Sequence, residues 1–457
     1  MKKLILVLAA ALLYSASSLK AQLSPAYEAR LQTVFDSVCN VFNIKGASAA
    51  VHVPNVGTWK GVYGISETGV PVTDNMLFGI GSNTKTFVAA AMLRLKEQGL
   101  IDLEDTIGTW IQHPQISGQI TIRQLLNHTS GIYSFTEHPA FGDSIFTDMS
   151  RIWGPSDMLQ FVNAPYFAPG AGWEYSNTNY TLAGIIIEQV TGSSLDTVLQ
   201  NEVFTPAGFT NTILYPQQTS AAPIANIWSA AFNWSGNNLE DLVNDYSYNH
   251  NSMFSAAWAA GAIMSTAEEN AIFWSRLVSG LSFGTASLND MMQTIPLSGT
   301  VSYGLGIFRR KNFNARTVHT HGGTNLGYIN ENLGDSVSGV GISVLTNQDS
   351  ISNNLLLNGL VKALHKVTIN PPVTSVGDMP NGQLFSICPN PASGTVRITG
   401  TKEGIVHFYD LTGRMVLRHD PGMGQPIEIS SLPPGTYLVR LSTPEGLMPG
   451  SAKLVVN

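Results

Sequence analysis

Apolar residues recur along this chain with two periods, and the change from one to the other divides it. In the first part the helical period dominates. Val34, Phe35, Val38, Cys39 and Phe42 fall on one face of an N-terminal helix. In "LFGIGSNTKTFVAAAMLRLKEQGL", Phe87, Ala90, Ala91, Leu93 and Leu95 form the apolar body of a second helix, and Gly99 is its stop. "LAGIIIEQVTG" (Leu182–Gly192) predicts an amphipathic helix beyond a Pro169–Gly170 turn. Thr266 caps another, with Ile272, Phe273, Leu277 and Val278 on its face and Gly280 at its end. "ARTVHTHGGTNLGYI" reads as a strand running into glycines, and "SGVGISVLTNQ" as a strand. After "LHKVTIN" the period shortens to two: "VHFYDL" and "TYLVRL" alternate, and "TG" and "PPG" mark turns.

This pattern predicts four regions. Lys2 and Lys3 precede a run of about a dozen apolar residues, too short for a membrane span, and Ala21 precedes Gln22. Residues 1–21 therefore read as a cleaved signal peptide. Residues 22–368 form a large α/β (α+β) domain. Residues 369–383, containing "PPVTSVGDMPNGQ", form a linker, and 384–457 form a small all-β sandwich.

Composition narrows the function. The net charge is −7 and 12% of residues are charged, so no basic surface points to nucleic acid. Two cysteines, Cys39 and Cys388, fall in different predicted domains, so the chain is not a disulfide scaffold. No phosphate loop, dinucleotide fingerprint or zinc spacing appears, and neither metal nor cofactor is expected.

Three segments carry candidate chemistry. In "SNTK" (Ser82–Lys85) a hydroxyl and an amine share one face at the start of a helix. A serine hydroxyl needs an adjacent base, and a desolvated lysine serves as one. "YSN" (Tyr175–Asn177) adds a phenol, able to shuttle a proton if nearby cations lower its pKa, and an amide to hydrogen-bond substrate. "HGGT" (His321–Thr324) adds an imidazole, and Gly323 leaves room for substrate backbone along a strand edge. The backbone N–H groups of Ser82 and Thr324 are the candidate oxyanion hole. His319 and His321 on one strand raise metal binding, but no third ligand stands at suggestive spacing. His128 in "LLNHTSG" reads as structural. A competing G-x-S-x-G match, "GLSFG" (Gly280–Gly284), follows a predicted helix, whereas a nucleophile elbow requires a strand there.

As a set, and in this order, the three segments resemble the serine β-lactamase-like family of class C β-lactamases, D,D-carboxypeptidases, D-aminopeptidases and related esterases. "ITIRQLLNHTSGI", "AAGAIMSTAEE" and "YGLGI" agree, and the resemblance runs from about Tyr27 to His365. It implies an antiparallel sheet flanked by helices plus a helical lobe, and an acyl-enzyme on Ser82. Lys85 and Tyr175 would be the base system, and Asn177 and His321 the substrate and proton-relay contacts. The expected substrate is a small D-amino-acid peptide, a β-lactam-like amide or an ester. Class C β-lactamases carry lysine where this chain has His321, which weakens that branch. The alternatives are a penicillin-binding or sensor protein that acylates without deacylating, and an adhesin whose function lies in the β-module. Pro389-Asn390-Pro391, Asp410–Gly413 and Leu432–Leu441 resemble the C-terminal sorting domain of the type IX secretion system. That resemblance implies delivery to the cell surface or medium by that machinery, after a signal peptide leads the chain to the periplasm.

Overall fold

The computed structural model describes residues 23–230, 239–370, 386–399, 405–410, 414–420, 425–443, 446–447 and 452–457. Residues 1–21, nearly all of the expected linker, and Leu411–Gly413 lie outside that set. The chain divides into two units, Met1–Pro371 and Pro372–Asn457.

The larger unit is built on a nine-stranded antiparallel sheet. Strands β1 (Gly46–Val53), β2 (Gly57–Glu67) and β3 (Val70–Pro71) come early in the chain. After a long, mainly helical insertion come β4 (Ile295–Ser298), β5 (Val301–Tyr303), β6 (Phe308–Phe313), β7 (Arg316–Asn325), β8 (Tyr328–Gly334) and β9 (Gly341–Thr346). The spatial order is β3-β2-β1-β9-β8-β7-β6-β5-β4. The two groups therefore meet where β1 pairs with β9, Ala47 opposite Thr346 and Val51 opposite Ile342. Helix α1 (Pro25–Val41) opens the unit. Helices α2 (Thr84–Glu97), α3 (Asn177–Thr191), α4 (Asn251–Gly261) and α5 (Ala267–Val278) follow in the insertion, and α6 (Lys362–Ile369) comes last.

Strand alternation sets the layers. Ala47, Ala49 and Val51 of β1, with Ile342 and Val344 of β9, pack in one core with Leu31, Phe35 and Cys39 of α1 and Leu364 of α6. The opposite face receives α5, which lies across β1, β8 and β9. A second core fills the helical lobe, where Phe87 of α2 stacks on Phe273 of α5 with ring centroids 3.7 Å apart. Cys39 is buried and free. Helix α5 is capped by the Thr266 side chain, which accepts the Glu269 N–H. A helix therefore precedes Gly280, and Ser282 is not on a strand-to-helix elbow.

One buried carboxylate ties β7, β8 and α6 together. Asp335, fully buried, accepts Arg316 Nη1 at 2.6 Å and the Ser338 hydroxyl at 2.7 Å, and lies 3.4 Å from His365 Nε2. Burial pushes its pKa up. The His365, Ser338 and Val337 N–H hydrogen bonds, with Arg316, outweigh burial and hold it well below the usual carboxylate range. Its stabilisation is thus present above the unfolded pKa of about 3.9 and is lost as pH falls through the folded value. Asp335→Asn is expected to cost roughly 3 kcal/mol in urea denaturation at pH 7, since it removes the buried charge that holds the half-buried Arg316 guanidinium and the Ser338 hydroxyl. The gap should narrow in strong acid.

The smaller unit is all β. Ser386–Cys388, Thr395–Thr399 and Ile427–Glu428 form one sheet. Met415–His419, Ile405–Tyr409 and Gly435–Thr443 form another, in which Ala452–Val456 and Gly446–Leu447 both pair with Gly435–Thr443. The inward residues of the period-two pattern, Val406, Phe408, Val439 and Leu441 among them, make its core.

Candidate active site

Ser82 sits in a short 3-10 turn, Gly81–Asn83, that leads into α2, two residues before the α-helix proper. Gly81 has φ +46°, and a Cβ there would lie 2.6 Å from the Thr324 backbone nitrogen. A Cβ on Gly323 would lie 1.9 Å from the Ile80 carbonyl oxygen. The turn carrying Ser82 is therefore docked on β7 through two glycines. On this face of the sheet Gly323 makes room for the turn itself.

Every other polar side chain of the segment is buried and satisfied. Asn83 donates to Asn270 Oδ1 (2.9 Å) and accepts Trp274 Nε1 (3.2 Å). Thr84 accepts the Ile263 N–H (3.0 Å), and Thr86 donates to the Gly306 carbonyl (2.7 Å).

Lys85 is fully buried, and its Nζ has three oxygen neighbours: Ala260 O at 2.7 Å, Asn177 Oδ1 at 2.8 Å and Ser82 Oγ at 3.1 Å. Burial lowers its pKa well below 10.5. As an ammonium Lys85 donates to all three; once it has lost a proton it has two N–H bonds and one lone pair. Ala260 O can only accept. Asn177 Nδ2 donates to Thr136 Oγ1 (3.0 Å), which turns the amide oxygen toward Lys85. Both N–H bonds are then used, and the lone pair is left for the Ser82 hydroxyl, which donates to it. This arrangement can deprotonate Ser82 as the hydroxyl attacks a carbonyl.

Asn177 begins α3, and its N–H donates to the Ser134 hydroxyl at 3.1 Å. The Tyr175 ring lies 4.9 Å from Lys85 Nζ. Its hydroxyl is buried and, among the described residues, has no hydrogen-bond partner within normal geometry. Burial raises its pKa above the ordinary phenol value, and the neighbouring Ser82 side chain opposes this only in part. The expected cation-depressed tyrosine is thus absent from the resting site. Tyr175 is a neutral phenol there.

His321 is also neutral. Burial first, and Lys85 second, push its pKa down to about 3. Its Nδ1–H donates to the Gly322 carbonyl (2.7 Å), so Nε2 accepts the Tyr303 hydroxyl (3.2 Å). Its ring centroid stands 6.5 Å from that of Tyr175. His319 bonds Ser336 (3.1 Å). Among the described residues, no group of three or more His, Cys, Asp or Glu is placed to hold a metal ion.

A cleft of about 210 Å³ opens at Ser82. Phe135, Phe141, Met253, Ala257 and Leu326 give it apolar walls, and Thr136, Asn177, Thr324 and Asn325 its polar points. Among the described residues, none that lines it is charged. Ser82, Lys85, Tyr175, Asn177 and Thr324 are thus brought together, with His321 behind Tyr175 and Gly323 under the turn. Sequence reasoning missed Ser134, Thr136, the Ala260 carbonyl and the role of Tyr303. The polar alternation in "YSFTE" (Tyr133–Glu137) was the available signal for the first two.

The Beta-lactamase family profile matches residues 40–364, and the Secretion system C-terminal sorting domain profile matches residues 386–457. Penicillin-binding protein 4* of Bacillus subtilis is 31% identical over 198 residues, 42% of this chain and 42% of that protein. Esterase EstB of Burkholderia gladioli is 32% identical over 195 residues, 39% of this chain and 50% of that protein. The chain thus spans half or less of the length of these curated relatives. The D-stereospecific amidohydrolase from Streptomyces sp. superposes with a TM-score of 0.63 at 29% identity, over 74% of this chain and 98% of that one.

Proposed function

The chain belongs to the Beta-lactamase family, and on that premise we propose that it is a serine hydrolase working through an acyl-enzyme on Ser82. The observation that carries the reading is the three-way contact of Lys85 Nζ with Ala260 O, Asn177 Oδ1 and Ser82 Oγ, which in the neutral form of the amine turns its lone pair to the Ser82 hydroxyl. Substrate carbonyl carbon is attacked by Ser82 Oγ as Lys85 takes the proton. The backbone N–H groups of Ser82 and Thr324 receive the oxyanion. The neutral phenol of Tyr175 passes the proton to the leaving amine or alkoxide. Asn177 supports the substrate amide, and water then releases the acyl group.

The cleft favours uncharged apolar groups. Recognition of the carboxylate of a β-lactam or a D-Ala-D-Ala terminus calls for a fixed positive charge. Among the described residues the cleft lining has none, and His321, which stands where class C β-lactamases carry lysine, is neutral. Amides of apolar D-amino acids and small esters are therefore the proposed substrates. The amidohydrolase and esterase relatives support that range.

The test is a panel of a D-phenylalanine anilide, a p-nitrophenyl butyrate ester, a D-Ala-D-Ala peptide and a chromogenic cephalosporin. The first two should exceed the last two in kcat/KM by about tenfold or more, as loss of a charge-assisted contact predicts. A cephalosporin as the best of the four would refute the ranking.

The sorting domain implies export by the type IX secretion machinery to the cell surface or medium. A signal peptide over residues 1–21, and separate service of the catalytic and sorting units, complete this reading. No helix among the described residues is long and apolar enough to cross a membrane.

A further inference from the structure

Next to the lysine–serine pair stands a buried histidine that the proposed reaction does not use. His128 is fully buried and has φ +64°, a left-handed conformation uncommon for a residue with a side chain. Its imidazole packs on the Tyr175 ring with centroids 4.3 Å apart, and on Tyr303 at 5.0 Å and Tyr180 at 5.5 Å.

Its hydrogen bonds single out the same residue. The His128 carbonyl accepts the Glu174 N–H at 3.1 Å, and its Nδ1 accepts the Ser176 N–H at 3.2 Å. These are the residues immediately before and after Tyr175. Asn179 Nδ2 also faces Nδ1 at 3.3 Å, its orientation set because Asn179 Oδ1 accepts the Ser130 hydroxyl at 2.7 Å. With two donors aimed at it, Nδ1 carries no proton. The proton is on Nε2, which is buried without a hydrogen-bond partner among the described residues. Protonating Nδ1 would oppose both donors, and burial and Lys85 lower the pKa in the same direction. His128 is therefore a fixed neutral acceptor that cannot relay protons in this geometry.

We infer that His128 is a positioning residue for Tyr175. It grips the backbone on both sides of that residue and stacks on its ring, holding the phenol against Lys85 and Ser82 for proton transfer to the leaving group. The inference rests on the serine-hydrolase reading above. Tyr175 needs such a holder because, among the described residues, its buried hydroxyl has no hydrogen bond of normal geometry to fix it.

The test compares His128→Ala and His128→Asn in the full chain. Alanine loses the side-chain acceptor and the stack. Asparagine keeps an acceptor near the Nδ1 position and tolerates positive φ, but loses the ring. His128→Ala should lower kcat for a p-nitrophenyl ester and a D-phenylalanine anilide about 100-fold, with KM little changed, the cost of an active group displaced by about an ångström. The anilide, whose leaving group needs the proton more, should suffer more than the ester. His128→Asn should recover about tenfold of the loss. The rate of fluorophosphonate labelling at Ser82, measured on the folded fraction, should stay within a few-fold of wild type, because that step bypasses leaving-group protonation by the phenol.

Three results would overturn the inference. They are unchanged kcat in His128→Ala, equal loss on ester and anilide together with equal loss of labelling, and no recovery in His128→Asn. Should the alanine variant fail to fold, the ester-to-anilide contrast in His128→Asn decides alone. A wild-type chain that takes up no fluorophosphonate at Ser82 and turns over neither substrate would refute the hydrolase reading itself. An active wild type beside an unaffected His128→Ala would refute only the part assigned to His128.

Discussion

Ser82→Ala is expected to lower kcat by about 10⁴-fold or more, the scale seen when a serine nucleophile is removed elsewhere. Ser82 is the hydroxyl that faces the buried amine, 3.1 Å from Lys85 Nζ, and it opens on the cleft. Loss of Oγ should leave the fold intact, because the turn is held by Gly81 against β7 and by the Asn83, Thr84 and Thr86 side chains. Mass spectrometry after incubation with a fluorophosphonate should find the adduct on the Ser82 peptide of wild type and none in the variant. Ser282→Ala, at the competing motif, should retain full turnover. A folded Ser282→Ala with no activity would move the active site elsewhere.

Lys85→Met is expected to cost about 10³-fold or more in kcat, since the hydroxyl loses its base while the side-chain volume is kept. Lys85→Arg should not restore activity, because a guanidinium stays protonated and offers no lone pair. The wild-type pH profile should carry the same information. Only the neutral amine is competent, so kcat/KM should rise with pH through the folded pKa of Lys85 and level off well below 10.5. Stability has the same sign. Between the depressed folded pKa and the unfolded value, the unfolded chain binds the extra proton, so stability climbs as pH rises through that window. Lys85→Met escapes the burial cost of the amine and should melt higher than wild type when both are heated at pH 6. Retained turnover in Lys85→Met would eliminate Lys85 as the base.

The fold was legible wherever one period ran for several turns or several strands. The helices at Phe87–Leu95 and Leu182–Gly192, the caps at Thr266 and Gly192, and the alternating strands of the C-terminal unit stand where the pattern puts them. The site was legible to the extent that its chemistry is local. Ser82 and Lys85 are close because they are three residues apart at a helix start. Electrostatic state was not legible, since it depends on what distant segments bury. Lys85 is desolvated by Asn177, Ala260 and the Tyr175 and Tyr180 rings, all far from it in sequence. For the same reason the condition set for Tyr175, a pKa lowered by nearby cations, is not met: burial raises the phenol instead. The packing part of Gly323 was not legible either, because the Ile80 carbonyl that a side chain there would strike comes from a segment far away in sequence.

The pairing of β1 with β9 bears on how this chain is made. Ala47 meets Thr346 in the middle of the sheet, and the whole helical insertion lies between them in sequence. No N-terminal fragment can close that sheet, so β1 and β2 leave the ribosome without their central neighbour and wait for nearly all of the catalytic unit to be synthesised. Contacts this distant in sequence slow folding. The catalytic sheet is thus a late-closing structure, whose two halves stay apart until its last strands arrive.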